Sequence, residues 1–212
     1  MQIFSIGECI RYGWETFKKR PWFFVGATVI TGLLSTISSS IAQGTWDLHS
    51  PPLVIAAANI GDFFVQCLIY MGLYKLSLKA IDSAEHLSFT DLWTPQHLGS
   101  FAFTTIVYGL MVFVGFILFI IPGVILMLTF FFPFYPIVDR GLGPWQALTY
   151  SKRITYGHRW QLLLFFLTCI LLILAGALAL LIGLFIVLPV TALATARVYR
   201  VLEQETRVSS MT

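Results

Sequence analysis

Apolar residues in this chain do not alternate with polar ones; they run on in long blocks, six of which can be delimited. The first extends from about Trp22 to Ala42, the second from about Leu53 to Leu76, and the third from about Phe101 to Ile121. The fourth, about Val124 to Val138, is short and carries Pro133 and Pro136. The fifth and sixth occupy Trp160 to Tyr199, divided near Gly176 to Gly183, with Pro189 placed to bend the last. A hydrocarbon core about 30 Å thick is crossed by roughly 20 helical residues, so the blocks predict membrane-spanning helices. The fourth block is the weak one, since its roughly fifteen residues rise only about 22 Å. It must start earlier, tilt little or thin the bilayer. Pro122-Gly123 reads as the turn between spans three and four, and Asp139-Arg140-Gly141 as the exit from span four.

Between the blocks the period changes. Over residues 3–18, Ile3, Ile6, Ile10, Gly13, Trp14 and Phe17 fall on one helical face, and Glu8, Arg11, Glu15, Lys18 and Lys19 on the other. Ser5 with Glu8 has the spacing of a capping box. An amphipathic helix this short, next to a span, is expected to lie in the membrane interface. Asp82 to Gly99 is polar and contains a second cap pattern, Ser88 with Asp91. Gly143-Pro144-Trp145-Gln146 is a third, with glycine at the N-cap, proline at N1 and glutamine at N3. Each cap leads into an apolar hairpin, and Trp22 and Trp160 stand at equal distances from theirs. The chain thus reads as one membrane domain with a threefold internal repeat over 3–80, 87–140 and 143–202.

Charge fixes the threading. With six spans, all thirteen Lys and Arg residues fall on one side, in four groups. Arg11, Lys18, Lys19 and Arg20 precede span one, and Lys75 and Lys79 close span two. Arg140, Lys152, Arg153 and Arg159 lie between spans four and five; Arg197, Arg200 and Arg207 end span six. Positive loops stay cytoplasmic, so both the amino and carboxyl termini are expected there. Five spans would strand Arg140 or Arg197 outside. The composition agrees: 58% of residues are apolar and 11% charged, against about 25% charged in soluble domains, and the mean hydropathy is +0.84. The fold class expected is an all-α integral membrane protein, with six transmembrane helices in three hairpins and short amphipathic interfacial helices. The region before the first span is too long and too regular for a signal peptide, although Ser40-Ile41-Ala42 resembles a cleavage site. Cys9, Cys67 and Cys169 are widely separated, form no CxxC and read as packing residues.

Chemistry-bearing residues are few. Asn59, Asp62 and Gln66 share one face of span two, and Asp62 is the one acid that must lie within an apolar block. Such a residue usually faces the bundle interior or a water path. Span one carries two rows of small and hydroxyl residues at i+4 spacing: Ala27, Thr31, Ser35, Ser39 and Thr28, Gly32, Thr36, Ser40. Small residues let helix backbones approach, and Ser35 and Ser39 are candidates to face Asp62. Asp82, Glu85 and His86 have metal-ligand spacing but no second cluster to complete a site, so a solvated face is the better reading. His158 reads as an interfacial anchor or headgroup contact, while His97 and His49 show no partner. Asp139-Arg140 reads as a span-end salt bridge. No nucleophile elbow, Walker loop, HExxH or dinucleotide fingerprint occurs, so no catalytic residue, cofactor or metal is expected.

The run Ile121-Pro122-Gly123-Val124, the exit Tyr135-Pro136-Ile137-Val138-Asp139-Arg140-Gly141 and the helix Ala147-Leu148-Thr149-Tyr150-Ser151-Lys152-Arg153, continuing to Trp160, resemble a group of small bacterial membrane proteins of unknown function. That group is YciC-like and related to the membrane domain attached to some glycerophosphodiester phosphodiesterases. The Gly72 region and Leu87 to Trp93 are similar to its middle section, so the likeness covers most of 60–170. Gln146 stands where the group commonly has an acid. The resemblance implies a bacterial inner-membrane protein and lends no mechanism, because this chain has no phosphodiesterase domain.

Three functions follow as expectations. The first is a non-enzymatic membrane protein whose basic helices hold anionic lipid or a cytoplasmic or membrane partner, a second copy of the chain included. Arg11, Lys18, Lys19, Arg20, Lys152, Arg153 and Arg159 would make the contacts, although topogenesis alone also explains them. The second is a transporter or permease for a lipid or small polar solute, with Asn59, Asp62 and Gln66 facing Ser35 and Ser39. The third, an intramembrane lipid enzyme, needs polar residues converging at one depth, which the sequence does not provide. Nothing calls for nucleic acid.

Overall fold

The computed structural model describes residues 5–44, 51–82, 87, 96–179 and 182–209. Among them are nine helices and no strand: α1 (Ile6–Lys19), α2 (Pro21–Gly44), α3 (Pro52–Asp82), α4 (Leu98–Leu118), α5 (Ile120–Thr129), α6 (Phe134–Arg140), α7 (Pro144–Thr155), α8 (Arg159–Leu178) and α9 (Ile182–Ser209). Six stretches are long and apolar enough to cross a membrane: α2, α3, α4, α5 with α6, α8, and most of α9. This is the all-α, six-span architecture that the hydropathy and the charge pattern predict. Pro21, Pro52 and Pro144 each open a helix at its first residue, where the missing N–H is one that no intrahelical carbonyl would have accepted.

The turn between spans three and four is not at Pro122-Gly123. It falls at Phe119, a single extended residue between α4 and α5 (φ −169°, ψ 158°). Proline is tolerated within the first turn of a helix, so Pro122 does not force the break. Gly123 permits close packing instead: a Cβ there would lie 2.7 Å from the Phe116 ring, and one on Gly115 would lie 3.0 Å from Gly123 Cα. Span four therefore runs over Ile120–Arg140 and is long enough to cross.

Span four is broken in the middle, and α7 repairs the break. Pro133 has no N–H for the Thr129 carbonyl four residues back, and Pro136 denies one to Phe132. Thr155 Oγ1 shares its one proton between that Thr129 carbonyl at 2.8 Å and the Ser151 carbonyl of its own helix at 2.9 Å. The Phe132 N–H, just past the end of α5, donates to Ser151 Oγ at 3.0 Å. Ser151 and Thr155 are both buried. Backbone groups freed inside a membrane protein must find such partners, since hydrocarbon offers none.

α9 is the axis of the bundle. Leu193, Ala194, Ala196, Val198, Tyr199 and Leu202 are buried on it, and it touches α1, α2, α3, α7 and α8. The surface of the surrounding helices is apolar: Leu110, Phe113, Leu164, Leu167 and Leu171 are exposed, as suits a side facing lipid tails. α1 lies along α9. A Cβ on Gly13 would come 2.7 Å from the Val190 carbonyl oxygen and 3.0 Å from the Ala194 nitrogen, so only glycine allows this approach. The face of α1 built from Cys9, Gly13, Thr16 and Phe17 is buried against the bundle. Ser5 takes the N-cap position, but its side chain makes no capping bond, so that capping box is not formed. The third box keeps its glutamine half: the Gly143 N–H donates to Gln146 Oε1 at 3.3 Å. The middle cap, Ser88 with Asp91, lies outside the described residues.

Candidate functional site

Three places gather polar side chains. The first joins α2 to α3. Asp62, Gln66, Ser35 and Ser39 come together as the two stripes predict, with Ser38 added. Ser38 Oγ donates to Asp62 Oδ1 at 2.6 Å, and Ser35 Oγ donates to Gln66 Oε1 at 2.9 Å. The Gln66 amide donates to Ser39 Oγ (3.3 Å), the Ser35 carbonyl (3.4 Å) and Asp62 Oδ1 (3.4 Å). Asn59 shares the helix face but not the bonding: its amide donates to its own helix, at the Ile55 carbonyl, 2.7 Å away. The i+4 rows of α2 missed Ser38 because it belongs to neither; its i+3 offset from Ser35 was the available signal.

Two cavities flank this cluster. On one side Ser39, Ala42, Gln43, Asn59 and Asp62 line a polar recess of about 460 Å³. On the other side lies a larger chamber of about 570 Å³, bounded by α2 and α3, by α8 and α9, and by Phe131 at the break in span four. Ser35 and Gln66 belong to its wall. Its other serine and threonine hydroxyls are turned away into their own helices. Thr28 donates to the Phe24 carbonyl, Thr31 to Ala27, Ser77 to Leu73, Thr191 to Val187 and Thr195 to Thr191, all at 2.7–2.9 Å.

The second gathering is a charge network where α3 and α6 end against α9. Arg200 grips Asp139 with both terminal nitrogens at 2.8 Å, and reaches Asp82 at 2.6 Å and Glu203 at 2.9 Å. Glu203, only 3% exposed, also receives Arg140 and Arg207. The expected span-end pair Asp139–Arg140 is present at 3.8 Å but is the weaker contact of each partner. Asp82 is thus tied to Arg200, while Glu85 and His86 lie outside the described residues. The sequence separations, 61 for Arg200–Asp139 and 118 for Arg200–Asp82, explain why spacing could not reveal this network. The local half was legible, since Arg200, Glu203 and Arg207 stand at i, i+3, i+7.

The third is the cationic surface. Lys18, Lys19, Arg20, Lys152 and Arg153 are exposed. Arg11 is exposed and paired with Glu15 at 3.1 Å. Lys18 lies over the Trp14 ring, 5.2 Å from its centroid. Arg159 is half-buried, with its Nε enclosed and without a hydrogen-bond partner. His158 is not a free anchor, because it lies 3.6 Å from Glu205. Arg197 covers the Tyr12 ring at 4.5 Å. His97 takes a left-handed backbone (φ 73°) and packs over Gly141, where a Cβ would lie 2.8 Å from His97 Nε2. Cys9, Cys67 and Cys169 are free and buried. Burial pushes the Cys9 thiol up, against a smaller opposite pull from Arg197.

No protein-family model, no curated protein and no solved structure matches the chain.

Proposed function

We propose that this is a non-enzymatic protein of a bacterial cytoplasmic membrane, with both termini in the cytoplasm, which holds anionic lipid at the exposed cations of α1 and α7. The observation that carries the reading is a division among the cations. Arg140, Arg200 and Arg207 are bound to the buried carboxylate of Glu203, and Arg197 is stacked on Tyr12. Lys18, Lys19, Lys152 and Arg153 point outward from two different helices. Trp22, Trp145 and Trp160 are also exposed near this end, and tryptophan favours the headgroup level. Each basic residue near an anionic leaflet contributes about 1 kcal/mol, so four acting together suffice for stable association. The YciC-like resemblance supports the bacterial assignment.

The test is charge reversal of Lys18, Lys19, Lys152 and Arg153 together. Native mass spectrometry of the variant should show loss of the anionic phospholipid that the wild-type chain retains. Retention unchanged from wild type would mean that these cations serve topology alone.

A second reading, a transporter or permease for a lipid or small polar solute, is favoured by the placing of recess and chamber on either side of the hydrogen-bonded pair Asp62 and Gln66. Under it, single cysteines at Asn59 and at Gln66 should both react with small polar thiol reagents. Reaction at Asn59 without reaction at Gln66 would describe a blind recess.

A further inference from the structure

We infer that the chamber between α2–α3 and α8–α9 is a binding site for one hydrocarbon chain of an amphiphile whose polar head is uncharged or amine-bearing, not anionic. The inference does not rest on the cationic surface, since none of Lys18, Lys19, Lys152 and Arg153 lines the chamber.

The walls select hydrocarbon. Phe24, Ile69, Leu73, Ile173, Leu188 and Leu193 supply much of the surface. Thr28, Thr31, Ser77, Thr191 and Thr195 turn their hydroxyls to backbone carbonyls, while Tyr70, Tyr74 and Tyr135 bring rings with phenol hydroxyls to the same wall. The wall is mainly apolar, with few of the two to four polar partners that each water molecule needs. The volume of about 570 Å³ is within the range of sites that enclose small organic ligands. Phe24 to Ser35 on α2 and Gln66 to Ser77 on α3 each span about 16 Å at the helical rise. That is about half of a ~30 Å hydrocarbon core.

The two ends of the chamber differ, which orients the occupant. Toward the cation-bearing end it is closed: Phe17 of α1 packs with Phe24, Leu76, Val190 and Leu193. At the other end stand Ser35 and Gln66, with Asp62 and Ser39 just beyond in the polar recess. A chain therefore points its methyl end at Phe24 and leaves its head among Ser39, Asn59 and Asp62. No Lys or Arg occurs between residues 21 and 74, so the head meets amide, hydroxyl and carboxyl groups and no cation. An anionic head would face Asp62 without a counter-charge, whereas an amine or hydroxyl head finds acceptors.

The chain in phosphatidylcholine vesicles would be photolabelled with three hexadecyl probes, each with a diazirine near the chain terminus and bearing an amine, an alcohol or a carboxylate head. Adducts mapped by peptide mass spectrometry should fall on Leu73, Ile173 and Leu188 for the amine and the alcohol, and several-fold less for the carboxylate. Gly32 lines the chamber and a Cβ there meets nothing within 4 Å, so Gly32→Phe has room to leave the backbone and place its ring in the chamber. Displacing about two buried methylenes should lower chamber adducts about ten-fold, while adducts on outward-facing Leu167 and Leu171 stay unchanged. Asp62→Asn should erase any advantage of the amine over the alcohol. Charge reversal at Lys18, Lys19, Lys152 and Arg153 should leave the chamber adducts as they are. Adducts confined to Leu167 and Leu171, equal chamber labelling by all three heads, or chamber labelling insensitive to Gly32→Phe would each overturn the inference.

Discussion

The two ends of the bundle are held by different forces. At the cation-bearing end, α3, α6 and α9 are tied by Arg200, Asp82, Asp139 and Glu203, with Arg140 and Arg207 in support. At the other end no ion pair occurs among the described residues. There α4 and α5 are drawn together at Gly115 and Gly123, α8 and α9 at Gly176 and Gly183, and α2 and α3 by hydroxyls and an amide. The difference follows from the solvent. Buried charges are tolerated only with full complements of partners, and cations gather at a membrane boundary rather than in its hydrocarbon core. Within lipid, helices associate through close backbone packing and interhelical hydrogen bonds.

The sharpest way to break this contrast is Arg200→Ala. It strips Asp139 of both its short bonds and leaves it only Arg140 at 3.8 Å, while nearly enclosed Glu203 keeps Arg140 and Arg207. Breaking a buried pair on one side costs about 3 kcal/mol. Thermal unfolding in detergent, read by a thiol-reactive dye reaching the buried cysteines, should start well below the wild-type temperature. Arg200→Lys should recover only part of the loss, since one ammonium cannot reproduce the two-nitrogen grip on Asp139. An unfolding curve for Arg200→Ala that overlays wild type would show the network to be ornamental.

At the opposite end, the matching substitution is Gly183→Leu. A Cβ on Gly183 would lie 2.6 Å from the Gly176 carbonyl oxygen and 2.8 Å from its Cα. Backbone must move, and overpacking of this kind costs about 3 kcal/mol. Gly61→Leu is the control, because a Cβ there meets nothing within 4 Å. If both variants unfold alike, close packing is not what holds α8 to α9.

Between the ends stands the break in span four. Thr155→Val keeps the side-chain shape and leaves the Thr129 carbonyl without its donor. The expected loss is about 2 kcal/mol, the desolvation penalty of one buried acceptor. Thr168→Val is the reference, since the Thr168 hydroxyl bonds only the Leu164 carbonyl of its own helix. Equal stability in the two variants would separate the break from α7.

How much of this was readable in the residues depends on the range of each interaction. Span number, the clustering of cations and the meeting of Asp62, Gln66, Ser35 and Ser39 follow from composition and from i+4 spacing, which one helix expresses by itself. The turn at Phe119 was misplaced because Pro-Gly is a strong turn signal in water. In this hairpin Gly123 serves packing against Gly115 and Phe116 instead. The partnership of Arg200 with Asp82 and Asp139, and of Thr155 with Thr129, depends on which helices become neighbours, and no local period carries that. The chamber is the same kind of feature: its wall is assembled from four helices and the broken span.

The smallest effect tests whether the α2–α3 cluster holds structure or serves a ligand. Ser38→Ala removes one 2.6 Å bond to Asp62, and interhelical side-chain bonds in membranes average about 0.6 kcal/mol. Melting should therefore shift only slightly, far less than in Arg200→Ala. Asp62 would still receive the Gln66 amide at 3.4 Å and would keep its place. Ser35→Ala, which removes the donor to Gln66 Oε1, should cost about the same, and the pair together should add to within a few tenths of a kcal/mol if the bonds act separately. A joint loss well above that sum would mean that the five side chains act as one unit, so that a ligand touching any member would be felt by all.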